Sequence, residues 1–166
     1  MSTLFPPDLL DDAKALLDEF ERRRRKLATA ESCTGGLLAA LLTEIAGSSA
    51  VFERGFVTYS NSAKSELIGV PPALIGRHGA VSEEVARAMA EGALARAPVD
   101  VAVSVTGIAG PDGGSPEKPV GLVYFAAAPR GHPTLTRECR FGDIGRGQIR
   151  LRSVETALEM MAQLVP

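Results

Sequence analysis

Short apolar runs alternate along this chain with segments of helical periodicity, and that alternation is the strongest constraint on its fold. Leu27–Ala30 and Val51–Tyr59 read as strands, with an apolar helix between them from Leu37 to Ile45 that Gly47-Ser48-Ser49 ends. Ser62–Ile68 reads as a short helix stopped by Gly69 and Pro71-Pro72, and Ser82–Ala95 as an alanine-rich helix with Ser82 as its cap. Val99, Val101, Val103 and Val105 then alternate as a strand should. Val120–Ala127 and Leu135–Phe141 flank the turn residues Pro129-Arg130-Gly131-His132-Pro133 and read as a hairpin. The first helix carries Leu9, Ala13, Leu16, Leu17 and Phe20 on one face, with acids early and Arg22 to Arg25 late, as the helix dipole favours. The last carries Leu151, Val154, Leu158, Met161 and Leu164. Strands that alternate with helices and end in a hairpin predict a three-layer α/β/α sandwich with a mixed β-sheet. At 166 residues, with no repeat and no linker, the chain is expected to form a single domain over 1–166.

Composition excludes several classes of function. Lys plus Arg is 18 against 20 for Asp plus Glu, and the net charge of -2 is the wrong sign for a duplex-binding domain. Aromatics are 5% with no Trp, so a stacking platform for single strands is missing. Arg22 to Arg25 read as a solvated helix end more readily than as a nucleic-acid patch. No apolar run approaches the length of a membrane span, and no secretory leader is recognisable before the first helix. A cytoplasmic location is the expectation. Cys33 and Cys139 allow one disulfide in principle, but with only His78 and His132 they make no zinc signature, and neither metal nor cofactor is expected.

Three constellations are able to carry chemistry. In Ala30-Glu31-Ser32-Cys33-Thr34-Gly35-Gly36 a strand runs into a helix through small residues, which gathers backbone N–H groups around one point. Ser32 is a candidate nucleophile there, Cys33 a competing one; the bland readings are an N-cap cluster and a small buried hydrophobe. A nucleophilic serine needs a base. His132 sits in a turn, and His78 has no obvious orienting carboxylate. Only Lys14, Lys26, Lys64 and Lys118 stand among eighteen basic residues, and lysine, unlike arginine, is able to give up its proton. Lys64, just after a strand in Thr58-Tyr59-Ser60-Asn61-Ser62-Ala63-Lys64, is either such a base or an exposed helix residue. As a base near neutrality its pKa must fall from ~10.4 by two to three units. Tyr59 is either a packed strand residue or a hydroxyl in a Ser–Lys–Tyr network. The third constellation is the loop from Thr106 to Gly121, rich in glycine, which matches neither a Walker loop nor a dinucleotide fingerprint. Glycine lets backbone approach a ligand closely.

Taken together, Ala30–Gly36, Gly47-Ser48-Ser49 with Phe52-Glu53-Arg54-Gly55, Val57–Asn61 with Lys64, His78–Ser82, and Thr106–Gly114 with Lys118–Gly121 resemble the C-terminal domain of the competence/damage-inducible protein CinA. The resemblance spans Leu9 to Leu164 with its five motifs in order. It implies an amidase that converts nicotinamide mononucleotide to nicotinate mononucleotide and ammonia, without a metal. It implies Ser32 as nucleophile, Lys64 as its activator and Tyr59 beside them. Cys33, Thr34, Gly35, Gly36, Ser49, Thr106, Gly107 and Gly110 are then expected around the substrate. Members often show Gly-Asp-Arg before the last helix; here Gly142-Asp143 is followed by Ile144-Gly145, and Arg146 arrives two residues late. Arg146 is the candidate phosphate contact, from its own or a neighbouring subunit, and Arg150 the next. The resemblance also suggests a homodimer or higher homo-oligomer, and no pyrophosphatase-like domain is expected before Leu9. A binding module without chemistry, or an interaction protein of competence or DNA damage, are the competing readings.

Overall fold

The computed structural model describes residues 3–164. A five-stranded sheet, in the order β2-β1-β3-β4-β5, comprises β1 (Leu27–Glu31), β2 (Phe52–Val57), β3 (Val101–Gly107), β4 (Leu122–Pro129) and β5 (Leu135–Arg140). β2, β1 and β3 run parallel; β4 and β5 add on antiparallel as the expected hairpin. Helices α1 (Pro7–Arg22), α2 (Leu37–Thr43) and α6 (Arg146–Gln163) pack together on one face. The other face carries α5 (Glu83–Ala95), with α3 (Asn61–Ile68) and α4 (Pro72–His78) packed against it. The three-layer sandwich with a mixed sheet is the observed architecture.

The valine alternation of β3 divides the core. Val101, Val103 and Val105 point into the larger core with Leu16, Leu38, Ile149 and Met161. The intervening residues face α5 and are small: Ala102, with Ala28 and Ala30 from β1 and Ala126 and Ala128 from β4. They meet Ala86, Ala90 and Ala93, so α5 lies close on the sheet. Ser104 on this face donates from Oγ to the Ala86 carbonyl at 2.6 Å, which satisfies a buried hydroxyl. The close approach extends to α3, since a Cβ on Gly92 would stand 1.9 Å from the Ile68 carbonyl oxygen. Gly92→Ala is therefore expected to destabilise the fold by about 1–3 kcal/mol through overpacking against main chain. An unchanged urea midpoint in that variant would refute this.

The differences from expectation are local. Pro72 does not end structure but opens α4 as its first residue, a position where its missing N–H is harmless. The last helix begins at Arg146, which places that side chain at its N-terminus. Arg22 and Arg23 pair with Glu19, and Arg25 pairs with Asp100, as a solvated helix end would. Both cysteines are free. No helix among the described residues is long and apolar enough to cross a membrane.

Candidate active site

β1 is where the sheet's winding reverses: the chain leaves it for β2 on one side, while β3 lies on the other. Open sheets form a crevice outside the carboxyl ends of parallel strands at such a point. Here Ser32 follows β1, Tyr59 lies two residues beyond β2, and Thr106 and Gly107 end β3. Ser32, Tyr59, Lys64, Thr106, Gly107 and Arg146 line a cleft of about 230 Å³, together with Cys33, Asn61, Ala80, Val81 and Ala109.

The centre of the cleft is a contact between Lys64 and Ser32. Ser60 caps α3 by accepting from the Ala63 N–H, so the helix starts at Asn61, four residues beyond the end of β2. Lys64 lies one turn in, and its side chain runs back toward the N-terminus as helical side chains do. Its Nζ reaches Ser32 Oγ, the Thr58 carbonyl and the Tyr59 carbonyl, each at 3.0 Å. Lys64 is 1% exposed. Burial lowers its pKa from the ordinary lysine value. Among the described residues no carboxylate forms an ion pair with it. A neutral amine has two N–H groups and one lone pair. All three contacts are donations from Nζ; were the amine neutral, the two carbonyls would take its N–H groups and its lone pair would face the Ser32 hydroxyl.

Ser32 is held by a turn between β1 and α2. Its N–H donates to the Val105 carbonyl at 2.9 Å, and the Gly35 N–H donates back to the Ser32 carbonyl at 3.0 Å. Gly35 and Gly36 adopt φ of 58° and 100°, a left-handed backbone that favours glycine. The Cys33, Thr34 and Gly36 N–H groups have no acceptor among the described residues. The first turn of α2 is not free, however. Glu31, 1% exposed at the end of β1, accepts from the Leu38 N–H at 2.8 Å and the Ala39 N–H at 3.2 Å. Any oxyanion donors at this site therefore come from the turn that follows Ser32 and not from the first turn of α2.

Other expected residues are distributed unevenly. Cys33 packs into the main core, and burial pushes its thiol up to about 12, which disfavours the thiolate a cysteine nucleophile needs. Tyr59 contributes its main-chain carbonyl to Lys64; its phenol, on a residue 61% exposed, accepts instead from Arg146 Nη2 at 3.1 Å. Arg146 Nη1 also donates to the Gly110 carbonyl at 2.7 Å, so this side chain spans from the β2 side of the cleft to the glycine loop. Arg150 donates from Nη2 to the Thr34 carbonyl at 2.9 Å and supports the turn rather than the cleft. Thr34 is fully buried with its hydroxyl unpartnered, and Thr106 Oγ1 donates to the Ala80 carbonyl at 2.9 Å. Ser49 sits in a 3-10 turn before β2, at the opposite end of the strands, and is not brought to the cleft. His78 lies outside the cleft, nearest Glu84, and has no path to Ser32 as a base. Ala80 and Val81 lie in the His78–Ser82 motif but were not among the expected site residues; their place in the lining follows from how α4 and α5 meet.

Known proteins share this chain's sequence and fold. Residues 11–165 match the model of the CinA C-terminal domain. The chain is 51% identical over 157 residues to the nicotinamide-nucleotide amidohydrolase PncC of Escherichia coli, covering 94% of each. It is 57% identical over 137 residues to a CinA-like protein of Mycolicibacterium vanbaalenii, 82% of this chain and 32% of that one. The crystal structure of competence/damage inducible protein CihA from Agrobacterium tumefaciens superposes with a TM-score of 0.97 at 53% identity, over 99% of this chain and 100% of that one. Match, identity and fold agree: this chain belongs to the CinA C-terminal domain family.

Proposed function

We propose that this protein hydrolyses the carboxamide of nicotinamide mononucleotide to nicotinate mononucleotide and ammonia through a serine-linked acyl-enzyme. The observation that carries the mechanism is the buried Lys64 amine, 3.0 Å from Ser32 Oγ with two carbonyls on its other side. The substrate class comes from the E. coli relative, whose name is that of a nicotinamide-nucleotide amidohydrolase.

In this reading Ser32 Oγ attacks the carboxamide carbon while its proton passes to Lys64 Nζ. The carbonyl oxygen takes the negative charge, and the turn N–H groups without acceptors are the donors at hand for it. Lys64 then gives its proton to the leaving nitrogen, the C–N bond breaks, and ammonia departs. Water attacks the remaining ester, again with Lys64 taking and returning the proton. The cationic pyridinium of the substrate adds to burial in keeping Lys64 neutral.

Arg146 and Arg150 form no ion pairs among the described residues. Arg146 lines the cleft and is exposed, so its guanidinium is available for the phosphate of a mononucleotide. The two free cysteines fit a reducing compartment such as the cytoplasm. The direct test is ammonia and nicotinate mononucleotide formation from nicotinamide mononucleotide by the purified protein; no turnover at millimolar substrate would overturn the assignment. Arg146→Ala is expected to raise KM about ten- to a hundredfold, the worth of a charged hydrogen bond, with a smaller effect on kcat. A KM unchanged by that substitution removes Arg146 from substrate binding.

A further inference from the structure

We propose that Glu31 is a positioning residue for the Ser32 turn, acting through the start of α2; this rests on the reading of Ser32 as nucleophile. Glu31 ends a strand whose five residues are all buried, and its own side chain is 1% exposed. A charged group is rarely placed there without a structural demand, because it must be repaid by hydrogen bonds. Both carboxylate oxygens are engaged, by the Leu38 and Ala39 N–H groups. Its carbonyl accepts from the Thr58 N–H at 2.9 Å, next to the carbonyls that hold Lys64. One residue thus ties together the base of the nucleophile turn, the first turn of α2 and the segment that aims the lysine.

The consequence lies in the distribution of donors. A helix start leaves several N–H groups free, and they attract negative charge. Glu31 occupies that position from within the fold. The start of α2 is therefore already occupied, and among the turn residues whose N–H groups lack an acceptor it is Cys33, next to the serine, that lines the cleft. The carboxylate also clamps the far end of the Ser32–Gly36 turn, whose glycines alone would leave it loose. Arg150 holds the same turn from α6 through the Thr34 carbonyl. Glu31 touches neither Ser32 Oγ nor Lys64 Nζ through any hydrogen bond of its side chain.

The experiment compares Glu31→Ala and Glu31→Gln with the parent protein, under conditions where circular dichroism shows each to be folded. Misplacing the reacting groups by about 1 Å costs on the order of 100-fold, so kcat for ammonia release should fall about 100-fold in Glu31→Ala with KM within about threefold. Glu31→Gln keeps one acceptor for the two N–H groups and should lie between, about tenfold down in kcat. The pH at which kcat/KM half-rises should not move in either, since Lys64 keeps its surroundings. A folded variant with parental kcat, or with its loss confined to KM, overturns the proposal. Should Glu31→Ala not fold, the Gln variant decides by the same criteria. The rate at which a fluorophosphonate labels Ser32, forming the Oγ–P bond and releasing fluoride, is read in parallel. It should fall in the same order, so Glu31 is tested even if nicotinamide mononucleotide is not the substrate; equal labelling rates in parent and variants count against the proposal.

Discussion

Ser32→Ala is expected to release ammonia from nicotinamide mononucleotide at least about 10⁴-fold more slowly than the parent protein, the scale of loss when a nucleophile is removed from a serine hydrolase. The substitution removes one oxygen and leaves the turn intact, because the bonds that hold it are made by main chain: the Ser32 N–H to Val105 and the Gly35 N–H to the Ser32 carbonyl. Stability should change little, and KM should stay close to the parental value, since Arg146 and the glycine loop are untouched. Rapid-quench measurement should show an acyl-enzyme on Ser32 in the parent and none in the variant. Undiminished turnover by Ser32→Ala would sink the acyl-enzyme mechanism, with Cys33 no fallback because its thiol is buried and stays protonated.

Lys64→Met should be nearly as damaging, about 10²–10⁴-fold in kcat, the range assigned to general acid–base catalysis. The pH dependence is the sharper test. Burial lowers the Lys64 pKa, and in the proposed mechanism the neutral amine is the active form. Parental kcat/KM should therefore rise with pH up to that lowered pKa and level off above it, well before ordinary lysine titrates. The rise should be missing from the residual activity of Lys64→Met. Linkage gives a second readout with a definite sign. Between the lowered folded pKa and the unfolded value the unfolded chain binds the extra proton, so the stability linked to Lys64 is fully present above the unfolded pKa and is lost as pH falls through the folded one. The parent's Tm relative to that of Lys64→Met should then shift in the parent's favour as pH rises from neutrality. A constant Tm difference would mean that Lys64 titrates alike in both states and is not desolvated as its burial requires.

The site was legible in the sequence to different depths. Ser32 and Lys64 were singled out on sound local grounds: a strand running into a helix through small residues, and one of few lysines in an arginine-rich chain. Tyr59 lines the cleft, yet it meets Lys64 through its carbonyl, and no side-chain reasoning about a tyrosine leads there. Glu31 carries a legible signal, a carboxylate closing a short run that is apolar but for Thr29. Ser49 was carried with its motif to a site at the far end of the sheet, because parallel pairing sets the start of β2 beside the start of β1. α3 does end at Ile68 with Gly69 as its cap; what had no counterpart among the expected elements is α4, which Pro72 opens, because proline interrupts a helix interior but suits a first turn.

What the sequence determined by itself were the elements and the chemical carriers. Periodicity, caps and left-handed glycines act over windows of a few residues, so they survive without tertiary information. Which atoms meet was decided only by the sheet order and by the seating of α3 and α6 on it. Lys64 reaches Ser32 across 32 positions, Arg146 reaches Tyr59 across 87, and Arg150 reaches Thr34 across 116. Contacts at such separations have no local signature, because they come from β1 lying between β2 and β3 at the point where the sheet's winding reverses. Burial did the remaining work: the same lysine in an exposed helix would keep its ordinary pKa, and closure beneath two carbonyls and a serine is what lowers it.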